Sequence, residues 1–402
     1  MKNQPELLAP AGSLAKLKIA FEFGADAVYC GLPDFSLRVR INSFTLAKLK
    51  QGVEYTRQRG KKIYFTLNIY PHQRHLKNLP KYLNFIKKNQ PDAIIVSDPG
   101  IISILRKKLP QMPLHLSTQA NCTNSEAVKF WYQQGISRII LAREITLKEI
   151  AEIHQAVPKM ELECFVHGAM CMSYSGRCIL SKWLTGRSAN LGDCAQPCRW
   201  EYFITEKQRP DEPIPIEQDR HGTYILNSKD LCLIKYLDKL KQAGIYNFKI
   251  EGRAKSAYYV ATVIKAYRQA IDKTKPTTQL LKELDKVTNR EYTTGFLFGE
   301  KNCEHKFDSS HNKPAYQFIG EVVKYNKEKE LATVKVHNAV YQGDQLEFVV
   351  PNADNFSQKL TKFYDTKTNE EVKEAHGGQN QTILIKTKSP APQYTVIRKK
   401  LI

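Results

Sequence analysis

Five of the chain's nine cysteines, Cys171, Cys178, Cys194, Cys198 and Cys232, fall in one stretch, separated by seven, sixteen, four and thirty-four positions. The first two stand in HGAMCMSYSGRC (167–178) and the next two in GDCAQPCRW (192–200). An odd number of cysteines argues against a disulfide scaffold, so clustered thiols read as metal or redox chemistry. Zinc sites favour two close C-x2-4-C pairs, and only Cys194 with Cys198 has that form. Four thiolates from separated loops suit a [4Fe-4S] cluster, whose sulfurs take hydrogen bonds from nearby groups. Gly168, Gly176 and Gly192 would let backbone approach it closely. Spacing alone leaves a structural zinc and unligated thiols open as alternatives.

A second set of polar side chains closes a series of short apolar runs: Asn68, Asp98, Gln119, Asn121, Arg143, Glu144, His167, Glu251 and Arg253. The runs are ELLAPAG (6–12), FGADAVYCG (23–31), KIYFTLNIY (62–70), QPDAIIVSDPG (90–100), PLHLSTQAN (113–121), QGISRIILARE (134–144), LECFVHG (162–168) and AGIYNFKIEGR (243–253). Buried-type strands alternating with amphipathic helical stretches predict parallel βα units, and eight of them predict an α/β fold closed as a (β/α)8 TIM-like barrel. An open doubly wound sheet is the alternative. In a barrel these strand ends converge on the C-terminal mouth. There Arg143 and Arg253 would hold an anionic substrate bidentately, with Asn68, Gln119 and Glu144 as further substrate contacts. His167 and Glu251 are the acid/base candidates. Asp98, ahead of Pro99 and Gly100, reads as a helix cap. The alternation breaks at about 169–243, a cysteine-rich insertion in the last βα step of a domain spanning 1–312.

From 313 to 402 the pattern turns to period two, in AYQFIGEVVKYN, ELATVKVHN, QLEFVVP, QTILIKT and QYTVIRKK. This predicts a small C-terminal antiparallel β-barrel domain and a candidate RNA-docking module. Lys and Arg number 61 against 40 acidic residues, a formal charge of +21. The excess recurs in clusters, among them Arg106-Lys107-Lys108 and Arg398-Lys399-Lys400, which favours a polyanion partner, nucleic acid first. No run approaches the ~20 apolar residues that span a bilayer, so a cytoplasmic protein without a membrane partner is expected.

HGAMCMSYSGRC followed by GDCAQPCRWEY, with ELLAPAGS and GADAVYCG before them and REYTTGFLFG after, resembles the peptidase U32 (collagenase-like) family over nearly the whole chain. Within that family the pattern is most similar to the prephenate-dependent tRNA uridine 5-hydroxylases. Sister branches hydroxylate a cytidine of 23S rRNA or act in oxygen-independent ubiquinone synthesis. The resemblance implies an iron-sulfur enzyme acting on the wobble uridine of tRNA with prephenate as co-substrate, and it allows a partner subunit of the same family. It implies cluster ligands at Cys171, Cys178, Cys194 and Cys232, with Cys198 as the alternative to Cys194. The family's historical name keeps a peptidase in play, with Cys171 as nucleophile and His167 as base. A non-catalytic RNA-binding protein with a structural metal is the remaining alternative.

Overall fold

The computed structural model describes residues 4–37, 43–171, 173, 177–200, 204–206, 209–214, 228–299, 315–378 and 381–401. Gly176, Cys303 and the expected domain boundary near residue 312 lie outside the described residues. Every one of the eight apolar runs forms a strand. Seven come in succession: β1 (Glu6–Ala11), β2 (Ala27–Gly31), β3 (Lys62–Leu67), β4 (Ala93–Val96), β5 (Leu114–Leu116), β6 (Arg138–Ile140) and β7 (Glu161–Ala169). The insertion then contributes β8 (Ile204–Glu206), β9 (Arg209–Ile214) and β10 (Asp230–Cys232) before the eighth barrel strand, β11 (Ile245–Ile250). All eight pair in parallel, and β11 pairs with both β1 and β7, so the sheet closes and the open alternative is excluded. Closure explains the near-continuous apolar runs, because each strand is covered on both faces.

The helices begin where the sequence signals them. Asp98 caps the helix Pro99–Lys108, its Oδ1 accepting from the Ile101 N–H at 2.9 Å. Thr146 and Glu149 form a reciprocal capping box on the helix Leu147–Ala156.

Below the mouth the lumen is filled by charge rather than by apolar side chains alone. Arg138 Nη1 donates to Glu6 at 2.7 Å and to Glu163 at 3.2 Å, and Lys249 Nζ donates to Glu163 at 2.7 Å. Tyr64 Oη donates to Glu6 at 2.9 Å and Lys62 closes on the same carboxylate at 3.0 Å. Burial alone would raise the Glu6 pKa, but Arg138 and Lys62 hold it down at about 2. A carboxylate depressed in the folded state stabilises the fold above its unfolded pKa and loses that contribution as pH falls through the folded value. Barrel stability is therefore expected to fall progressively from about pH 4.5 to about pH 2, and Glu6→Gln to flatten that slope in acid titrations followed by circular dichroism.

The chain divides into two compact units, Met1–Lys18 with Ala25–Ala254 and Asn289–Asn312, and Ile19–Gly24 with Lys255–Thr288 and Lys313–Ile402. The first is the barrel with its insertion, and it also holds the short strand β12 (Tyr292–Thr293) beside β10. The second unit carries an antiparallel seven-stranded half-barrel. Its interior strand Val396–Lys400 pairs with Tyr316–Asn326 on one side and Gln345–Val349 on the other. Arg398, which the sequence places in an exposed basic cluster, is fully buried on that strand. It donates to Glu347 at 2.7 Å and to Glu283 at 2.6 Å, tying the helix Thr277–Leu284 to the sheet. Among the described residues no helix is long and apolar enough to cross a membrane.

Candidate active site at the barrel mouth

A cavity of about 150 Å³ opens at the C-terminal ends of the barrel strands. Its wall brings together Asn68, Gln119, Arg143, Glu251 and Arg253 with Cys171, Cys178, Cys194 and Cys198. Glu144, His167 and Cys232 do not line it. Thr66 and Lys249 do, although sequence reading passed over both. The missed signal is alternation: Lys249, on β11, stands two residues before Glu251, which directly follows that strand, and both line the cavity.

The polar side chains differ in how far they are already engaged. Arg253 donates to Thr66 Oγ1 at 3.2 Å and to the Leu37 carbonyl at 2.6 Å, which fixes the loop after β2. Asn68 braces the same loop, accepting from the Leu37 N–H at 3.3 Å and donating to Ser117 Oγ at 3.3 Å. Two glycines allow the segment after β11 to sit so close. A Cβ on Gly12 would meet the Arg253 carbonyl at 2.3 Å, and one on Gly168, at φ +108°, would meet the Glu251 carbonyl at 2.5 Å. The glycines of the ELLAPAG and VHG motifs thus place Glu251 and Arg253.

Arg143 is different. Its guanidinium lies 3.9 Å over the Phe165 ring, and among the described residues no hydrogen bond or ion pair engages it. Gln119 is more than nine-tenths buried, and its side-chain oxygen has no hydrogen-bond partner. Lys249 is held by Glu163, and its ammonium stands 4.5 Å from the Tyr29 ring. Three cations face one carboxylate, Glu251, in this wall, an arrangement that attracts anions.

His167 closes the LECFVHG run, which predicts a place at the mouth. The pairing of β7 with β11 runs Phe165↔Lys249 and then His167↔Ile250, so β7 carries one extra residue. That bulge re-aims the strand. His167 follows Ile250 away from the lumen, is 1% exposed and packs at 5.5 Å from the Tyr292 ring.

The thiols are set by the insertion. Arg177 Nε donates to Tyr70 Oη at 2.8 Å, and the Cys178 N–H donates to Asn190 Oδ1 at 3.3 Å, while the Tyr70 N–H donates to the Asn190 carbonyl at 3.1 Å. The Gln196 N–H, from a left-handed residue, donates to Cys194 Sγ at 3.3 Å, the kind of bond that supports a cluster-ligating sulfur. Burial pushes the Cys171 thiol up, and the nearby Cys178 and Cys194 add to the rise, while the Ser173 N–H and Arg143 oppose it. Three thiols therefore lie within electrostatic reach of one another. Cys232 sits on β10, which runs antiparallel to the end of β7 with Cys232 opposite His167, beside the segment that leads into Cys171. Among the described residues no three His, Cys, Asp or Glu side chains converge on a single ion. Thiols carried on separate segments, one of them already accepting an amide N–H at Cys194 Sγ, are the donor chemistry that a cuboidal cluster takes.

Comparison with known proteins agrees with the motif reading. The Peptidase family U32 profile matches residues 12–307, and that of the Peptidase family U32 C-terminal domain matches residues 314–398. The chain belongs to peptidase family U32. Several relatives carry the name tRNA hydroxylation protein P. That of Haemophilus influenzae is 39% identical over 99% of this chain and 97% of its own length. That of Escherichia coli is 42% identical over 88% of each. A third, from Porphyromonas gingivalis, is named Collagenase and is 32% identical over 96% of each.

Proposed function

We propose that this chain hydroxylates RNA, with tRNA as substrate and C5 of the wobble uridine as target, in the cytoplasm. Prephenate as co-substrate and a [4Fe-4S] cluster complete the reading. What carries it is likeness along 88–99% of the chain to two proteins named for tRNA hydroxylation. The cavity chemistry supports it. Arg143, which feels Glu251 and Glu144 without a direct ion pair to either, receives a carboxylate of the dianionic co-substrate, and Lys249 adds charge beside it. Arg253 keeps the surrounding loop closed rather than acting as the main anion contact. The Gln119 side-chain oxygen, which has no partner, meets the polar edge of the base, and Glu251, within electrostatic reach of Arg143, is the cavity's own carboxylate for holding a proton. Cys171, Cys178, Cys194 and Cys232 would hold the cluster, which when bound supplies electron-transfer or Lewis-acid chemistry.

The test is nucleoside analysis by mass spectrometry of RNA from a deletion strain and its complemented parent. Loss of hydroxylated wobble uridine, restored by the gene, is the expected result. Intact wobble uridine with an altered 23S rRNA cytidine moves the substrate to ribosomal RNA. The Collagenase relative favours peptide hydrolysis as a second reading, but His167 does not line the cavity that Cys171 opens into, so nucleophile and base are not offered to one substrate. Gelatin hydrolysis by the purified protein, lost in Cys171→Ala, would restore it.

Ligand assignment has its own check. In protein purified without oxygen, iron and sulfide are expected to be lost in Cys171→Ala, Cys178→Ala, Cys194→Ala and Cys232→Ala and kept in Cys198→Ala. Iron lost in Cys198→Ala and kept in Cys232→Ala would exchange those two.

A further inference from the structure

Beside the cavity the insertion leaves its largest apolar side chains in water. Ile179 and Trp183 are each 77% exposed, and Trp200 is 44% exposed. Ile179 and Trp183 are four residues apart at the helix Leu180–Thr185, so they share one face. Trp200 follows the turn Pro197–Arg199, against which that helix lies. The backbone beneath is firmly tied. Ser181 Oγ donates to the Arg187 carbonyl at 2.7 Å and accepts from the Ala195 N–H at 2.9 Å, so the exposed face is presented on a braced support. Apolar surface gathered in this way on a charged protein marks an interaction site.

The adjoining groove tells what occupies it. His72, Arg74, Ile179 and Lys182 line it, no Asp or Glu does, and its wall includes Cys178, which also lines the cavity. A positive groove with an aromatic platform is the pattern that binds unpaired nucleic acid, since every base has a face that stacks and every nucleotide a phosphate. We infer that Trp183, with Ile179 and Trp200, forms a stacking platform for an unpaired RNA nucleotide adjoining the one that enters the cavity, and that Arg74 and Lys182 hold its phosphates. This rests on the RNA-hydroxylase reading and adds to it the surface by which a loop, rather than a duplex, is selected. A second copy of the chain would meet like charge in this groove, and so would any basic partner.

The experiment measures binding of an anticodon stem-loop RNA and of a blunt RNA duplex to the holoenzyme by fluorescence anisotropy across a salt series. Trp183→Ala is expected to weaken loop binding roughly five- to 150-fold, leave duplex binding unchanged and leave the salt slope as it was. Trp183→Phe is expected to recover most of the loss, which a folding defect would not allow. Arg74→Ala is expected to weaken both RNAs and to reduce the salt slope by about 0.7. Equal loop binding by wild type and Trp183→Ala, in a wild type that binds and hydroxylates RNA, overturns the platform and leaves the function standing. A wild type that binds no RNA removes both. Light scattering that shows a dimer dissociated by Trp183→Ala, or anionic vesicles released by it with RNA binding intact, reassigns the face to a second copy or a lipid surface and overturns the inference.

Discussion

Glu163→Gln is expected to destabilise the barrel by about 3–5 kcal/mol, the cost of removing one partner from a buried ion network. Glu163 has no solvent exposure, and it takes Lys249 on one oxygen at 2.7 Å and Arg138 on the other at 3.2 Å. Arg138 would keep Glu6 and Glu161, but Glu163 is the carboxylate that Lys249 pairs with. The ammonium would be left against the rings of Tyr29 and Phe165, which replace little of a buried ion pair. Glu152→Gln is the control: its side chain is 60% exposed and meets only the exposed end of Lys148, at 3.8 Å, among the described ion pairs, and surface substitutions of this kind stay within about 0.5 kcal/mol. A chain of two units need not unfold in one step, so the measurement is hydrogen exchange in barrel peptides rather than a single melting curve. Equal protection in the two variants would mean that the lumen charges contribute nothing that a neutral amide cannot. Because Lys249 lines the cavity, the same substitution also releases a side chain that the site needs aimed.

The strands were legible because burial on both faces writes itself as apolar runs, and eight runs with helices between them admit few other solutions. Side-chain direction was legible only where alternation holds. Glu251 and Arg253 close their run as expected, whereas one extra residue near Val166 turns His167 behind the wall. A bulge of that kind follows from how β7 and β11 twist together, and nothing in LECFVHG announces it. Cys232 was legible only as a ligand that the family resemblance implies, in a segment whose pattern reads as helical rather than as the strand it forms. DLC pairs with β7 only through the ladder it forms there and with the two-residue Tyr292–Thr293 strand, too short to leave a periodic signal. Arg398 shows the opposite error. Charge counting put it on a basic surface, and its burial depends on Glu283, more than a hundred residues earlier in the chain.

Arg143→Ala is expected to lower kcat/KM for the anionic co-substrate by about 2–5 kcal/mol, roughly 30-fold to several thousand-fold, the cost of truncating one partner of a desolvated charge pair. The argument rests on what Arg143 lacks. Arg138 and Arg398 are fully paired inside the protein, and Arg253 is spent on Thr66 and the Leu37 carbonyl. Arg143 rests its face on Phe165 and feels Glu251 and Glu144 without a hydrogen bond to either, so its fork of N–H groups remains open to a ligand. On the proposed function, its removal should therefore act on co-substrate binding and leave the fold, the iron content of the proposed cluster and the affinity for RNA as they are. Arg143→Lys keeps the charge and loses the fork, and is expected to recover only part of the activity; added guanidinium should rescue Arg143→Ala and not Arg143→Lys. Arg253→Ala is the contrasting variant, expected to loosen the loop at Leu37 and to depress stability together with activity. Steady-state kinetics with co-substrate and RNA varied separately distinguish these cases. An unchanged KM for the co-substrate in Arg143→Ala, in protein that retains its iron, would show that the open guanidinium is not the anion's anchor and would return that role to Lys249.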